Sequence, residues 1–244
     1  MIQFHNYTMS DIYILSIDTA TPLCSVSISK NGSTVYELVG DDPNMHASSL
    51  TLFVKRVLEK ANLEMNQLSA VAVSKGPGSY TGLRIGVSVA KGLCYALDIP
   101  LIANNTLEAM FSGFQQLSSI TDESTLLLPM IDARRQEVYT QVFSVKGQII
   151  EETKALIVDT DTFNSYLENG KNLIFFGSGA DKFEEMFRKQ PAIEIYVGFD
   201  TKASFQDAIS FEKFQQSQFE DVAYFEPFYL KDFVVSTPKK SPLL

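Results

Sequence analysis

Hydrophobic and polar residues in the early part of the chain alternate with the period of a β-strand. Residues 12–17 form a short apolar run, and residues 24–29 alternate apolar side chains with serine, as in a half-buried strand. Asn31-Gly32 tolerates the positive φ angles of a type I′ turn, and residues 34–39 supply a returning strand. We therefore predict an antiparallel meander of three strands.

A helical period replaces the strand period after this meander. Apolar residues between Leu50 and Ala61 recur three and four positions apart, which predicts an amphipathic helix with Ser48 or Ser49 as its cap. The compact apolar run at 68–73 predicts a buried strand, parallel to its neighbour because a crossover leads to it. Residues 83–97 are apolar on nearly every side, so we expect a helix that is covered on more than one face.

The second half of the chain repeats this order. The apolar run at 128–132 ends in Asp132, as the first run ends in Asp18, and a tight turn at Lys146-Gly147 again separates two β-rich stretches. The apolar run at 173–176 then leads into a glycine turn and a helical stretch at 181–188. A duplicated βββαβα unit predicts an α/β fold of two lobes, with mixed sheets flanked by helices.

The repeat also predicts the domain organisation. We place an N-terminal lobe at residues 12–106, with a soft boundary after an apolar stretch at 99–103, and a C-terminal lobe at 107–232. Residues 1–11 and 233–244 are polar or proline-rich, and we expect them to be flexible. Both aspartate turns and both glycine turns are expected to face the cleft between the lobes.

Composition narrows the function classes. The 244 residues are 45% hydrophobic and 20% charged, and the net charge of −9 disfavours direct binding of nucleic acid. The only two histidines, His5 and His46, exclude a histidine-rich metal centre. Cys24 and Cys94 lie in apolar stretches and suit buried thiols in a reducing compartment. Because we find neither a signal peptide nor a membrane span, we expect a cytoplasmic protein.

A glycine loop, Gly76-Pro77-Gly78 with Gly82, lies between a strand and a helix. Such a loop presents backbone amides and a helix N-terminus to an anion or phosphate, although Pro77 alone would also explain a turn. Asp18 begins an Asp-Thr-Ala-Thr turn that suits phosphate and hydrated Mg²⁺, or else a local Asx turn. The resulting nucleotide or phosphate candidates are Asp18, Thr19, Thr21, Gly76, Gly78, Ser79, Asp132, Gly177 and Gly179.

Two other features leave their partners open. Arg134 and Arg135 follow Asp132 and would either neutralise an anion in the cleft or pair with surface carboxylates. Small residues form two rows on the helix at 83–97, so a neighbouring helix can approach along either row, from the same lobe or from another chain. One row is Gly82, Gly86 and Ala90, and the other is Ser88, Gly92 and Ala96.

The string from Lys75 to Gly86, KGPGSYTGLRIG, resembles the signature of the TsaB (YeaZ) family in the actin, Hsp70 and sugar-kinase superfamily, whose lobes have a ribonuclease H-like fold. Residues 17–21, 132–139 and 226–230 also resemble that family, and the match covers about residues 12–232. Lys231 stands where the family usually has arginine, which keeps the charge but loses bidentate geometry.

The resemblance implies a non-catalytic scaffold for threonylcarbamoyl transfer to the adenosine next to the anticodon of tRNAs that read ANN codons. Its implied partners are a catalytic TsaD-type paralogue and a TsaE-type ATPase; tRNA is contacted only indirectly and no membrane is involved. Because exposed apolar helices also self-associate, we expect the isolated chain to form a homodimer through the same patch on its first-lobe helices. This chain would need no cofactor, while ATP or ADP with Mg²⁺ would belong to the complex.

The same resemblance implies that catalytic residues and metal ligands are absent. The catalytic paralogue holds its metal with two histidines on one helix, whereas here His46 is followed four residues later by Leu50. An older protease description of the family has no support either, because we find no zinc site and no nucleophile–base pair. The implied partner interface lies on the helices of the first lobe, at Leu50, Phe53, Val54, Gly82, Gly86, Ala90 and Lys91.

Two alternatives remain open at this level. The first is an active ATPase or phosphotransferase of the same fold, with Asp18 on Mg²⁺, the loop at 76–82 on phosphates and residues 177–180 beside adenosine. The second is a small-molecule binding module that binds nucleotide without turnover.

Overall fold

A computed structural model describes residues 11–40 and 46–230, with only the backbone described at 46–49. The first half contains β1 (Tyr13–Asp18), β2 (Cys24–Lys30), β3 (Ser33–Gly40), α1 (His46–Ala61), β4 (Ala70–Gly76), α2 (Tyr80–Leu97), β5 (Leu101–Asn105) and α3 (Thr106–Leu117). The second half contains β6 (Thr125–Asp132), β7 (Glu137–Ser144), β8 (Ile149–Ile157), α4 (Asn164–Glu168), β9 (Asn172–Phe176), α5 (Glu184–Phe187), β10 (Ile193–Tyr196) and α6 (Asp207–Gln215).

Two mixed sheets of five strands have the same topology. The first has the order β3-β2-β1-β4-β5 and the second has the order β8-β7-β6-β9-β10. In each sheet the first strand of the half pairs antiparallel with the next strand and parallel with the strand that follows a helical crossover. The predicted duplication and the two-lobed α/β fold are therefore confirmed.

The opening meander is confirmed, while several element ends differ from the prediction. Asn31 and Gly32 have φ angles of 52° and 80°, as a type I′ turn requires. Helix α1 begins at His46, so Ser48 and Ser49 lie inside it and the predicted cap is wrong. The apolar stretch at 99–103, used above only to place the lobe boundary, overlaps β5 at Leu101–Asn105. The predicted helical stretch at 181–188 divides into a 3₁₀ turn and the short α5.

Each sheet is covered on both faces. Helices α1 and α2 pack on one face of the first sheet around Leu50, Val57 and Val73. The second sheet contributes to two separate apolar clusters. One includes Leu107 and Phe114 of α3, and the other includes Phe163 and Phe183. None of the described helices has the length and apolar character needed to cross a bilayer.

The last helix crosses back to the first sheet. Phe211 and Phe214 of α6 pack against Ile14 and Ile102, together with two alanines of β4. The predicted C-terminal lobe at 107–232 includes α6. The 3₁₀ turn at Ala203–Gln206, just before α6, also contacts β1 and β2 of the first sheet. We call residues 199–207 the crossing segment, because it carries the chain from the second sheet to the first.

Candidate functional site

The carboxylate of Asp18 lies at the carboxyl end of β1, the edge at which open α/β sheets bind ligands. The residue is 1% exposed, and its two oxygens accept hydrogen bonds from Ala20 N (2.9 Å) and Thr201 Oγ1 (2.6 Å). Burial raises the pKa of Asp18, although these hydrogen bonds oppose the shift. The residue predicted to hold Mg²⁺ is therefore enclosed by its own chain.

The glycine loop packs against the turn that follows Asp18. A Cβ atom on Gly78 would lie 2.3 Å from Ala20 O, and one on Gly82 would lie 2.0 Å from Thr19 O. In the same contact Ser79 N donates to Ala20 O (2.7 Å) and Thr19 Oγ1 donates to Gly82 O (2.7 Å). These glycines allow one backbone to approach another, which explains the loop without a phosphate.

The other first-lobe candidates also have structural roles. Ser79 is the N-cap of α2, where its hydroxyl accepts from Gly82 N (3.3 Å). Gly76 has a φ of 115°, and a Cβ there would lie 2.6 Å from Phe228 O. Thr21 is 4% exposed, and its hydroxyl has no hydrogen-bond partner among the residues that the structure describes.

The second lobe carries its aspartate on the surface. The side chain of Asp132 is half exposed, and its Oδ1 contacts Lys182 Nζ at 2.6 Å and accepts from Arg134 N at 2.9 Å. Lys182 also donates to Glu137 O (2.7 Å). Arg134 and Arg135 are exposed in left-handed backbone, with φ of 73° and 53°, and neither has an ion pair within the described chain.

The glycine turn of the second lobe packs in the same way as the first. Gly177 has a φ of 103°, and a Cβ on it would lie 2.4 Å from Met130 O. A Cβ on Gly179 would lie 2.8 Å from Ile131 C, and its amide donates to Met130 O (2.9 Å). The glycine turns of both lobes therefore abut the strand or turn that carries the corresponding aspartate.

The crossing segment forms a buried polar network that the sequence patterns did not reveal. The Asp207 carboxylate accepts hydrogen bonds from Ser16 (2.7 Å), Ser27 (2.9 Å) and Thr34 (2.7 Å), one hydroxyl from each strand of the meander. Gln206 Nε2 donates to Ile17 O (3.0 Å). Burial raises the pKa of Asp207 to about 6, against these three donors.

Most of the predicted interface residues are covered by their own lobe. Leu50, Phe53 and Val54 belong to the core beneath α1. Gly82, Gly86 and Ala90 are also buried, and a Cβ on Gly86 would lie 2.3 Å from Thr19 Oγ1. These six residues offer no surface to a partner. The close approach that the row of Gly82, Gly86 and Ala90 allows is made by the turn after β1, within the same lobe.

The second small-residue row of α2 is the exposed one. Ser88, Gly92 and Ala96 face solvent, and nothing lies within 4 Å of a Cβ built on Gly92. Tyr95 beside them is 86% exposed. Lys91, the remaining predicted interface residue, is partly exposed, and its Nζ donates to Ala223 O (3.2 Å) and Phe225 O (3.0 Å).

Two of the strings that carry the family resemblance lie side by side. Phe228 N donates to Lys75 O (2.7 Å), and the rings of Tyr229 and Tyr80 have their centres 4.9 Å apart. The Arg84 guanidinium lies 4.9 Å from the centre of the Tyr80 ring. Lys231 and the predicted tail at 233–244 lie outside the described residues, as does all but Asp11 of the predicted leader.

Comparisons of the sequence with known proteins identify its relatives. Residues 43–238 match the family model described as TsaD, tRNA N6-adenosine threonylcarbamoyltransferase. The chain is 28% identical over 228 residues to the tRNA threonylcarbamoyladenosine biosynthesis protein TsaB of Escherichia coli K12, covering 91% of this chain and 95% of that protein. The Bacillus subtilis 168 protein of the same name is 27% identical over 187 residues, which are 76% of this chain and 79% of that one.

The fold of the chain is also similar to that of a solved structure. YeaZ from Pseudomonas aeruginosa superimposes with a TM-score of 0.71 at 23% identity, covering 90% of this chain and all of that one. The chain belongs to the tRNA N6-adenosine threonylcarbamoyltransferase family and, within it, to the TsaB (YeaZ) group.

Proposed function

We propose that this chain is a non-catalytic accessory subunit in the biosynthesis of threonylcarbamoyladenosine on tRNA. The relatives named TsaB support the pathway. The enclosure of Asp18 by Ala20 and Thr201 supports the non-catalytic role, because a buried carboxylate with a raised pKa is a poor ligand for Mg²⁺. This enclosure is the observation on which the proposal rests.

The chain acts as a scaffold for the catalytic TsaD-type paralogue, which transfers threonylcarbamoyl to the adenosine next to the anticodon of tRNAs reading ANN codons. A TsaE-type ATPase joins this complex, so ATP or ADP with Mg²⁺ is needed there and not by this chain alone. The net charge of −9 supports leaving the direct contact with tRNA to the partner.

The exposed side of α2 is the proposed docking surface. Ser88, Gly92 and Ala96 let a partner helix approach closely, and Tyr95 supplies an exposed aromatic anchor beside them. Tyr224, 85% exposed, belongs to the turn that Lys91 ties to this helix. The isolated chain is proposed to form a homodimer through the same surface, which the catalytic paralogue then displaces.

Light-scattering mass on a sizing column tests this surface, for the chain alone and after mixing with the catalytic paralogue of the same organism. Gly92→Arg is expected to leave both samples one subunit lighter, because the new side chain blocks helix approach. Ser165→Arg, exposed on α4, is the matched control and should retain both assemblies. Intact assemblies in Gly92→Arg would move the interface away from α2.

ATP turnover by the isolated chain tests the alternative function. An ATPase that uses the cleft requires Asp18 to exchange Thr201 for a hydrated metal ion. We expect no steady hydrolysis above a blank. Hydrolysis that is lost in Asp18→Asn would overturn the non-catalytic role while leaving the docking surface to be judged by mass.

A further inference from the structure

A cavity of about 510 Å³ lies in the second lobe, at the end of the sheet away from Asp132. Its floor includes Leu126 at the start of β6, which is six residues and so roughly 20 Å of strand from Asp132. The volume falls within the range of small-molecule sites, about 300–1,000 Å³. Neither the cleft nor the docking surface on α2 includes this cavity.

The walls of the cavity are held by hydrogen bonds of the hairpin between β7 and β8 and of α4. Ser144 and Gln148 exchange bonds across the hairpin turn, with N–O distances of 2.9 Å and 3.1 Å. On the other side, the Tyr166 hydroxyl donates to Glu151 Oε1 (2.6 Å), which fixes the ring at the cavity wall. The site is therefore formed by ordered elements of the second lobe.

The lining combines an apolar surface with cationic groups. Leu126, Val145, Ile150 and the ring of Tyr166 supply the apolar part, and Ile150 remains 44% exposed. A register shift at Val142/Phe143 leaves the consecutive residues Ile149 and Ile150 both facing solvent, so this exposed isoleucine is a product of the strand geometry.

Lys171 and Lys146 belong to the lining of the cavity. Lys171 is partly buried, and its ammonium has no hydrogen bond or ion pair within the described parts of the chain. Lys146 pairs with Glu123 at 2.5 Å, but both side chains are more than 70% exposed, so this pair opens at little cost. Nearby Asp122 already accepts from Ser124 Oγ (2.6 Å) and Thr125 Oγ1 (3.0 Å).

We propose that this cavity binds a small organic anion, with a flat apolar body against Ile150 and Tyr166 and one carboxylate on Lys171 and Lys146. Two lysines and one glutamate give the lining a single excess positive charge in a chain whose net charge is −9, which favours a monoanion. The inference rests on the second lobe alone and does not depend on the proposed scaffold function.

Fluorescence titration of the full chain with 2-naphthoate tests the site, and the chain's lack of tryptophan leaves the probe signal clear. We expect saturation at one probe per chain. The neutral isostere 2-naphthamide should bind roughly fivefold or more weakly, because it lacks the carboxylate. Lys171→Gln should weaken naphthoate by a similar factor, and Lys146→Gln provides a second variant should the first fail to fold.

Matched controls separate the cavity from the general surface. Ile150→Ser should weaken binding roughly threefold or more, whereas Ile157→Ser, at the other end of the same exposed strand, should leave it unchanged. Lys189→Gln, an exposed lysine elsewhere in the lobe, should also have no effect. A signal without saturation, equal binding of the neutral probe, or equal loss in Lys171→Gln and Lys189→Gln would overturn the proposal.

Discussion

Thr201 donates a 2.6 Å hydrogen bond to the carboxylate of Asp18, joining residues 183 positions apart. Asp18 ends the first strand of the first sheet, while Thr201 belongs to the crossing segment that leaves the second sheet. The cover over the predicted metal-binding carboxylate is thus supplied by the second half of the chain. This relationship makes the enclosure of Asp18 a property of the whole fold.

Thr201→Val removes this hydrogen bond while keeping the shape of the side chain. We expect the free energy of unfolding at about pH 7 to fall by about 1–3 kcal/mol, because a buried carboxylate loses one of its donors. Urea unfolding followed by circular dichroism measures the change. Thr121→Val, at an exposed position, should change it by less than about 0.5 kcal/mol. Equal effects of the two variants would contradict the assigned bond.

Asp207→Asn should change how stability depends on pH. The pKa of Asp207 is about 6 in the folded chain against an ordinary 3.8, so the folded state binds more protons between these values. Stability from this group is therefore present below about pH 4 and is lost as pH rises through about 6, a loss of about 3 kcal/mol. The Asn variant does not titrate at this position and should lack that loss.

Urea unfolding across this pH range measures the effect, and the difference between the parent chain and the variant isolates Asp207. Asp18, whose pKa is also raised, is present in both chains, so its contribution cancels. Asp98→Asn is the matched control, because Asp98 is exposed in a left-handed conformation that Asn also adopts. A parallel pH dependence in the parent chain and Asp207→Asn would show that the carboxylate does not titrate as described.

Gly82→Ala and Gly92→Ala place the same added methyl group in two environments of α2. The first methyl would lie 2.0 Å from Thr19 O, and we expect a loss of about 1–3 kcal/mol in unfolding free energy. The second meets open space, so the better helix propensity of alanine should add about 0.5–1 kcal/mol. Thermal or urea unfolding compares them directly, and the same sign for both would refute the packing described.

Lys91→Met tests the tie between α2 and the turn at 221–225. Losing the bonds to Ala223 O and Phe225 O should speed hydrogen exchange of the Phe225 amide, which donates to Asp221 O, by roughly tenfold. Lys55→Met on α1, whose lysine is 69% exposed, should not alter that exchange. An unchanged rate in Lys91→Met would mean that the turn is held by other contacts.

The local parts of the fold were predictable from the sequence. The Asn31-Gly32 hairpin, the buried strand predicted at 68–73 and found at Ala70–Gly76, and the repeat of the aspartate and glycine turns all depend on neighbouring residues, whose periodicity is visible. The glycine positions also predict that another group approaches the loop backbone closely. Either a phosphate or a backbone carbonyl could be that group, because each needs a residue without a Cβ. The sequence therefore could not show that Ala20 O and Thr19 O fill that space.

The long-range contacts were not predictable in this way. Periodicity identifies Leu50 and Ala90 as apolar-face positions, but it does not tell whether the chain itself or another chain covers them. Thr201 and Asp207 look like ordinary loop and helix-start residues until the crossing segment reaches the first sheet. One clue was present: the polar face of β2 carries only Ser25, Ser27 and Ser29 and no charged residue, which indicates burial more than exposure.

The return of α6 to the first sheet also sets an order for folding during synthesis. The ribosome releases Ile14, Ala72 and Ile102 long before Phe211 and Phe214, which cover them. Protein domains generally fold as units while the chain emerges, N-terminal unit first. Here the N-terminal sheet is started first and completed last, so the nascent first half keeps an uncovered apolar face through most of translation, and any early stop codon before α6 leaves that face exposed.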